Sequence, residues 1–183
     1  MAKDAVDLYA NPSSAHAPGI AAKNALAEAR VSLGDSLGVP AESLYFCSGG
    51  SEANSIVLLS MLARPIHAAG RASVVISAVE HPSMHEQAAV LARMGIEIIR
   101  VKPNASGCIE PEALGNAMKP DTVLVSVMAV NNESAAINQL TVLSKTISES
   151  SKGRPVLFHA DAVQAFGKIR LKPLELGIDA LSL

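Results

Sequence analysis

Hydrophobic positions along the chain alternate between two periods. Residues 18 to 37 carry apolar side chains at helical spacing (Ala22, Ala25, Leu26, Ala29, Leu33, Leu37), and Gly38 follows as a stop signal. A short apolar run, Leu44 to Cys47, leads into Ser48-Gly49-Gly50, which reads as a strand exit before a helix starting near Ser51. That helix runs through Ile56, Leu59 and Leu62 toward Arg64-Pro65. Strand-like runs then recur at Ala72–Ser77, Ile96–Val101, Val123–Met128, Val156–His159 and Ile178–Leu183. Helical patterns separate them at Pro82–Met94, Pro111–Met118 and Leu140–Ser150. Strands that are apolar throughout, alternating with helices, predict an α/β domain with a mostly parallel sheet flanked by helices. Ligands in such sheets lie beyond the carboxyl ends of the strands. Every polar motif described below follows a predicted strand.

Composition narrows this picture. The chain has 183 residues, 49 % of them hydrophobic, so it can build a sizeable core; at 3 % aromatic and without Trp, that core is aliphatic. A net charge of −2 from 15 basic and 17 acidic residues provides no electrostatic footprint for nucleic acid or anionic lipid. No apolar run approaches the roughly 20 residues that span a bilayer. The start, Met1-Ala2-Lys3-Asp4, lacks the apolar segment of a signal peptide, so a soluble cytoplasmic protein is expected. Two cysteines, Cys47 and Cys108, are too few for a disulfide scaffold; Cys47 is expected to be small and buried, Cys108 to lie on a turn.

Four segments carry chemistry. Ser48-Gly49-Gly50-Ser51-Glu52-Ala53-Asn54 offers glycines for close backbone approach and a helix start whose N–H groups favour an anion; a plain helix cap accounts for it equally well. In Glu80-His81-Pro82-Ser83-Met84-His85, the two histidines are four apart, as in a zinc site. Pro82 marks a first helical turn, however, and leaves His81 just ahead of the helix, where it suits a loop residue over a ligand. Val130-Asn131-Asn132-Glu133 is either a turn or a pair of amides that fix a small polar ligand. In His159-Ala160-Asp161-Ala162-Val163-Gln164, the period of two sends His159 and Asp161 to one face. An aspartate at the tip of a buried strand needs a cationic partner, since an unpaired buried carboxylate costs several kcal/mol. The same aspartate could instead cap the next turn.

Together with Asn11-Pro12-Ser13-Ser14-Ala15-His16, and in this order, these segments resemble the class V aminotransferases, the cysteine desulfurases above all. The resemblance implies the large domain of a fold-type I pyridoxal phosphate enzyme, with residues 1–17 as an arm and residues 18–183 as an incomplete cofactor-binding domain. It implies that Gly50 and Ser51 hold the cofactor phosphate and that His81 stacks on the ring and relays a proton. Asn132 and Gln164 bond the phenolic oxygen, Asp161 pairs with the pyridinium nitrogen, and Asn11 lies near the substrate carboxylate. The implied reaction moves sulfur from L-cysteine to an enzyme cysteine, leaving alanine, in a homodimer that serves a sulfur-acceptor scaffold protein. The family's Schiff-base lysine, in a Ser-x-His-Lys sequence, has no counterpart before Leu183. Its persulfide cysteine, its substrate-binding arginine and its N-terminal Asp-Asn-Ala-Ala-Thr-Thr motif are also not matched. Lys168 and Lys172 read as surface residues rather than substitutes for that lysine. The isolated chain is therefore expected to be inactive as a desulfurase and to self-associate through uncovered apolar surface. Other class V activities (selenocysteine lyase, aminotransferase-like), a non-catalytic binding or dimerisation module, and a subunit completed by a second chain stay open.

Overall fold

The computed structural model describes residues 9–63 and 72–183; the Met1–Asp4 start and the Arg64-Pro65 helix end lie outside them. The chain divides into two compact units, residues 1–46 and 47–183.

In the first unit, helix α1 (Ala17–Leu37) starts with His16 as N-cap, its Nδ1 accepting the Gly19 N–H at 3.2 Å, and with proline in the first turn. It ends where Gly38 turns left-handed (φ 72°) and donates its N–H to the Gly34 carbonyl, a conformation glycine adopts without strain. A single 3₁₀ turn, Ala41–Ser43, follows. The expected strand at Leu44–Cys47 does not form. The Leu44 carbonyl accepts from Arg30 Nε instead of joining a ladder, and the Arg30 guanidinium lies 5.0 Å from the Phe46 ring centroid. Four apolar residues are too short a run to select a sheet face. Cys47 is correspondingly exposed rather than buried.

The second unit is a five-stranded sheet in the order β2-β1-β3-β4-β5, every pairing parallel. Its elements are α2 (Gly50–Leu59), β1 (Ser73–Ser77), α3 (Pro82–Arg93), β2 (Glu97–Val101), α4 (Pro111–Ala117), β3 (Thr122–Ser126), α5 (Leu140–Ser151), β4 (Leu157–Asp161), α6 (Pro173–Leu176) and β5 (Ala180–Ser182). A 3₁₀ turn, Ser60–Ala63, extends α2. The α/β class and the parallel sheet read from periodicity are what the chain adopts. β1 and β3 are buried at every residue, which is why neither shows polar alternation. Leu58 and Met61 from the α2 region and Met84, Ala88 and Leu91 from α3 pack with Val74, Ile76 and Leu124 of the sheet.

Because β1 has β2 on one side and β3 on the other, the chain reverses direction across the sheet at β1. The connections leaving β1, β3 and β4 all emerge at the carboxyl edge of the parallel sheet. That edge therefore collects Glu80-His81, Asn131-Asn132 and Asp161, from stretches far apart in sequence.

Candidate active site

Asp161, the last residue of β4, is 4 % exposed. Its Oδ2 accepts from Asn54 Nδ2 at 2.8 Å, and its Oδ1 accepts from the Val163 N–H at 3.0 Å. The second bond is the turn-capping contact, so the aspartate serves both the turn and the interior. Among the described residues no lysine or arginine pairs with it, although a buried carboxylate is costly without a cation. Two neutral donors leave room for a cationic ligand group.

Asn54 lies one helical turn into α2, the helix that Gly50 opens. No side chain caps that start. The Ser48 N–H goes to Glu52 Oε2 at 2.5 Å, which holds the Glu52 carboxyl below its usual range. The first-turn N–H groups that follow have no intrahelical acceptor, by helix geometry, and suit an anion. A Cβ on Gly50 would sit 2.5 Å from Val163 Cγ2. The glycine is therefore where α2 meets the turn after β4, and the anion-binding start and the buried carboxylate are neighbours.

His81 is the N-cap of α3, with Pro82 following, so His81 and His85 do not share a helical face as a metal pair. Its Nδ1 accepts the Ser83 N–H at 3.2 Å and lies 2.9 Å from Ser83 Oγ. Ser83 Oγ in turn accepts from Asn54 Nδ2 at 3.1 Å. The His81 loop and Asp161 are thus joined through Asn54 and Ser83, two residues that sequence reasoning missed. The signal for Asn54 was its position four residues before buried Leu58, a polar side chain on an apolar helix face.

The two asparagines separate cleanly. Asn131 is buried: its Oδ1 accepts from the Glu133 and Ser134 N–H groups, and its Nδ2 donates to the Val79 carbonyl at 2.9 Å. It staples this loop to the residues just ahead of His81. Asn132 is exposed, with no such anchoring bond among the described residues. Gln164 is half-buried, and its Oε1 accepts from Lys168 Nζ at 2.8 Å, so the exposed Lys168 is held at the rim of this region. Asn11, in the first unit, is exposed and accepts the Ser13 N–H at 2.9 Å, as a turn former does.

Two further buried groups brace the edge. Glu80 Oε1 accepts the Met128 N–H at 2.7 Å, while its Oε2 has no partner. Burial pushes this carboxyl up to about 8, the Met128 N–H opposes the shift, and the charge of Asp161 adds to it. Glu80 is accordingly neutral at pH 7, which leaves Asp161 as the anion. His159 is fully buried, with Nδ1 2.8 Å from Ser126 Oγ and Nε2 2.9 Å from Ser182 Oγ. Burial lowers it to about 4, against the pull of Asp161, so it is a neutral tie across β3, β4 and β5 rather than a ligand-facing group.

Comparison with known proteins agrees with this fold. The aminotransferase class-V family profile matches residues 1–183. A cysteine desulfurase of Bradyrhizobium diazoefficiens is 39 % identical over 176 residues, covering 96 % of this chain and 43 % of the relative. The cysteine desulfurase IscS of Dictyoglomus turgidum is 34 % identical over 175 residues, covering 96 % of this chain and 43 % of its own length. A solved structure of SspA in complex with cysteine superposes with a TM-score of 0.87 at 28 % identity, covering 96 % of this chain and 50 % of that one. The chain thus spans about half the length, or somewhat less, of the proteins it matches. With a profile match from end to end and desulfurases among its relatives, this chain belongs to the class V aminotransferase family.

Proposed function

We propose that these residues form the pyridoxal phosphate-binding core of a cysteine desulfurase-type enzyme that takes sulfur from L-cysteine. The observation that carries the reading is Asp161: a buried carboxylate with two neutral donors, beside a glycine-opened helix start suited to a phosphate. The donor set fits the cofactor. Gly50 and Ser51 would offer first-turn N–H groups and a hydroxyl to the phosphate, and Asp161 would pair with the ring nitrogen and favour its protonated form. Asn132 and Gln164 supply amides for the phenolic oxygen, with Lys168 giving way at Gln164. His81 would cover the ring, with its proton held at Nε2. When bound, pyridoxal phosphate supplies an electron sink for a carbanion on the amino-acid substrate. The neutral state of Glu80 keeps a second negative charge away from the site, so the full attraction of Asp161 is available to a cation.

Sulfur transfer of this type also requires a Schiff-base lysine and a persulfide-forming cysteine. Neither Cys47 nor Cys108 matches the family's persulfide-forming nucleophile, so the 183 residues are expected to bind the cofactor without turnover. Homodimerisation and delivery to a sulfur-acceptor protein belong to the same proposal. Among the described residues no helix is long and apolar enough to cross a membrane.

The test is a titration of the chain with pyridoxal phosphate, followed by borohydride reduction and mass mapping. The expected result is saturable binding that Asp161→Ala abolishes, with no lysine modified in proportion to occupancy. Binding that is indifferent to Asp161→Ala contradicts the reading. Stoichiometric labelling of Lys168 would overturn the non-covalent part of it and make the rim lysine an attachment point.

A further inference from the structure

Asn54 Nδ2 spends both of its hydrogens on polar partners, one on Asp161 Oδ2 and one on Ser83 Oγ. Its own Oδ1 is buried and has no partner. Turning the amide over would put that oxygen against the Asp161 carboxylate, acceptor against acceptor. The ionised aspartate therefore fixes the amide's orientation, even though an orphaned carbonyl is the consequence. With Asn54 donating, Ser83 Oγ is already an acceptor, and its one hydrogen is left for His81 Nδ1, 2.9 Å away. The Ser83 backbone N–H points at the same nitrogen. Two donors converge on Nδ1, and a ring protonated there would set N–H against N–H.

We propose that Asn54 and Ser83 are positioning residues that hold His81 as the tautomer with its proton on Nε2, the direction of the relay being set by Asp161. Nε2 is the ring nitrogen that no described residue engages, so the proton sits on the atom open to a ligand. The carboxylate that attracts a cationic ring thereby also dictates which nitrogen of His81 presents its N–H to a ligand as a hydrogen-bond donor. The use of that N–H toward a ligand rests on the cofactor reading above; the tautomer itself does not.

The experiment uses the chain labelled with ¹⁵N-histidine and no cofactor, with a long-range ¹H–¹⁵N correlation recorded above the pH at which the ring is doubly protonated. His81→Gln assigns the signals. The native chain is expected to show an unprotonated Nδ1 and a protonated Nε2. Ser83→Ala and Asn54→Ala should each raise the share of the other tautomer about fivefold, the factor carried by one lost hydrogen bond, and displace the Nδ1 resonance accordingly. Ser83→Thr, which keeps the hydroxyl, should retain the native pattern. Ser83→Ala leaves the backbone donor and the helix start in place, so it decides the question should Asn54→Ala not fold. A native Nδ1–H, or a folded Ser83→Ala chain with native shifts, would overturn the proposal. A chain that fails to bind pyridoxal phosphate would leave this result standing, and the reverse also holds.

Discussion

Replacing Glu80 with glutamine isolates a single buried proton. The substitution keeps the oxygen that accepts the Met128 N–H and removes the ionisable one. In the folded chain the carboxyl rises from 4.5 to about 8, with burial as the first cause. A shift of that size corresponds to on the order of 5 kcal/mol against ionisation. Because the folded value is the higher one, the contribution is fully present below pH 4.5 and is lost as pH rises toward 8. His159 works in the opposite sense: lowered from 6.5 to about 4, it favours the fold above pH 6.5 and loses that contribution as pH falls toward 4. The two slopes oppose each other between pH 4.5 and 6.5, with His85, also lowered by burial, adding to the His159 side, so the native chain should not show there the decline with pH that it shows above 6.5. From pH 6.5 to 8 Glu80 acts alone, and the native chain should lose about 2 kcal/mol. Urea unfolding across this range reads the loss as a midpoint lower by about 1 M. Glu80→Gln should hold its midpoint from pH 6.5 to 8 and decline only on the acid side. A variant with the native slope over that interval would refute the assignment of the buried proton to Glu80.

Other substitutions probe the neighbouring contacts. Gly50→Ala places a Cβ against Val163 Cγ2 and should cost about 1–3 kcal/mol in urea unfolding, with the loss recovered when Val163→Ala is added. His159→Leu leaves the Ser126 and Ser182 hydroxyls unpaired and should cost about 2–4 kcal/mol at pH 7 while flattening the acid limb of the stability profile. Asp161→Asn removes a charge that raises Glu80, so Glu80 should titrate at lower pH when followed by ¹³C-carboxyl NMR.

The elements were legible where burial is two-sided or amphipathic. Ser73–Ser77 and Thr122–Ser126 are apolar enough to be seen without alternation, and α3 buries Met84, Ala88 and Leu91 at helical spacing. Leu44–Cys47 misled because a short apolar run says nothing about whether a partner strand exists; Arg30, fourteen residues earlier, took its carbonyl. Asp161 could be identified as an anion in the interior, but its partner Asn54 lies 107 residues away, and no local pattern records such a pairing. Glu80 escaped notice for the same reason, its Met128 donor being 48 residues on. Asn131 and Asn132 are chemically identical neighbours, and only the loop's packing against Val79 separates the staple from the exposed amide.

Everything functional here depends on Asp161 meeting a positively charged heterocycle. Pyridoxal phosphate labelled with ¹⁵N at its ring nitrogen, bound to the chain and observed by NMR near pH 8, reads that contact directly. The account predicts a protonated ring nitrogen in the native chain and an unprotonated one when Asp161→Asn still binds the label. A ring nitrogen left unprotonated by the native chain would contradict it.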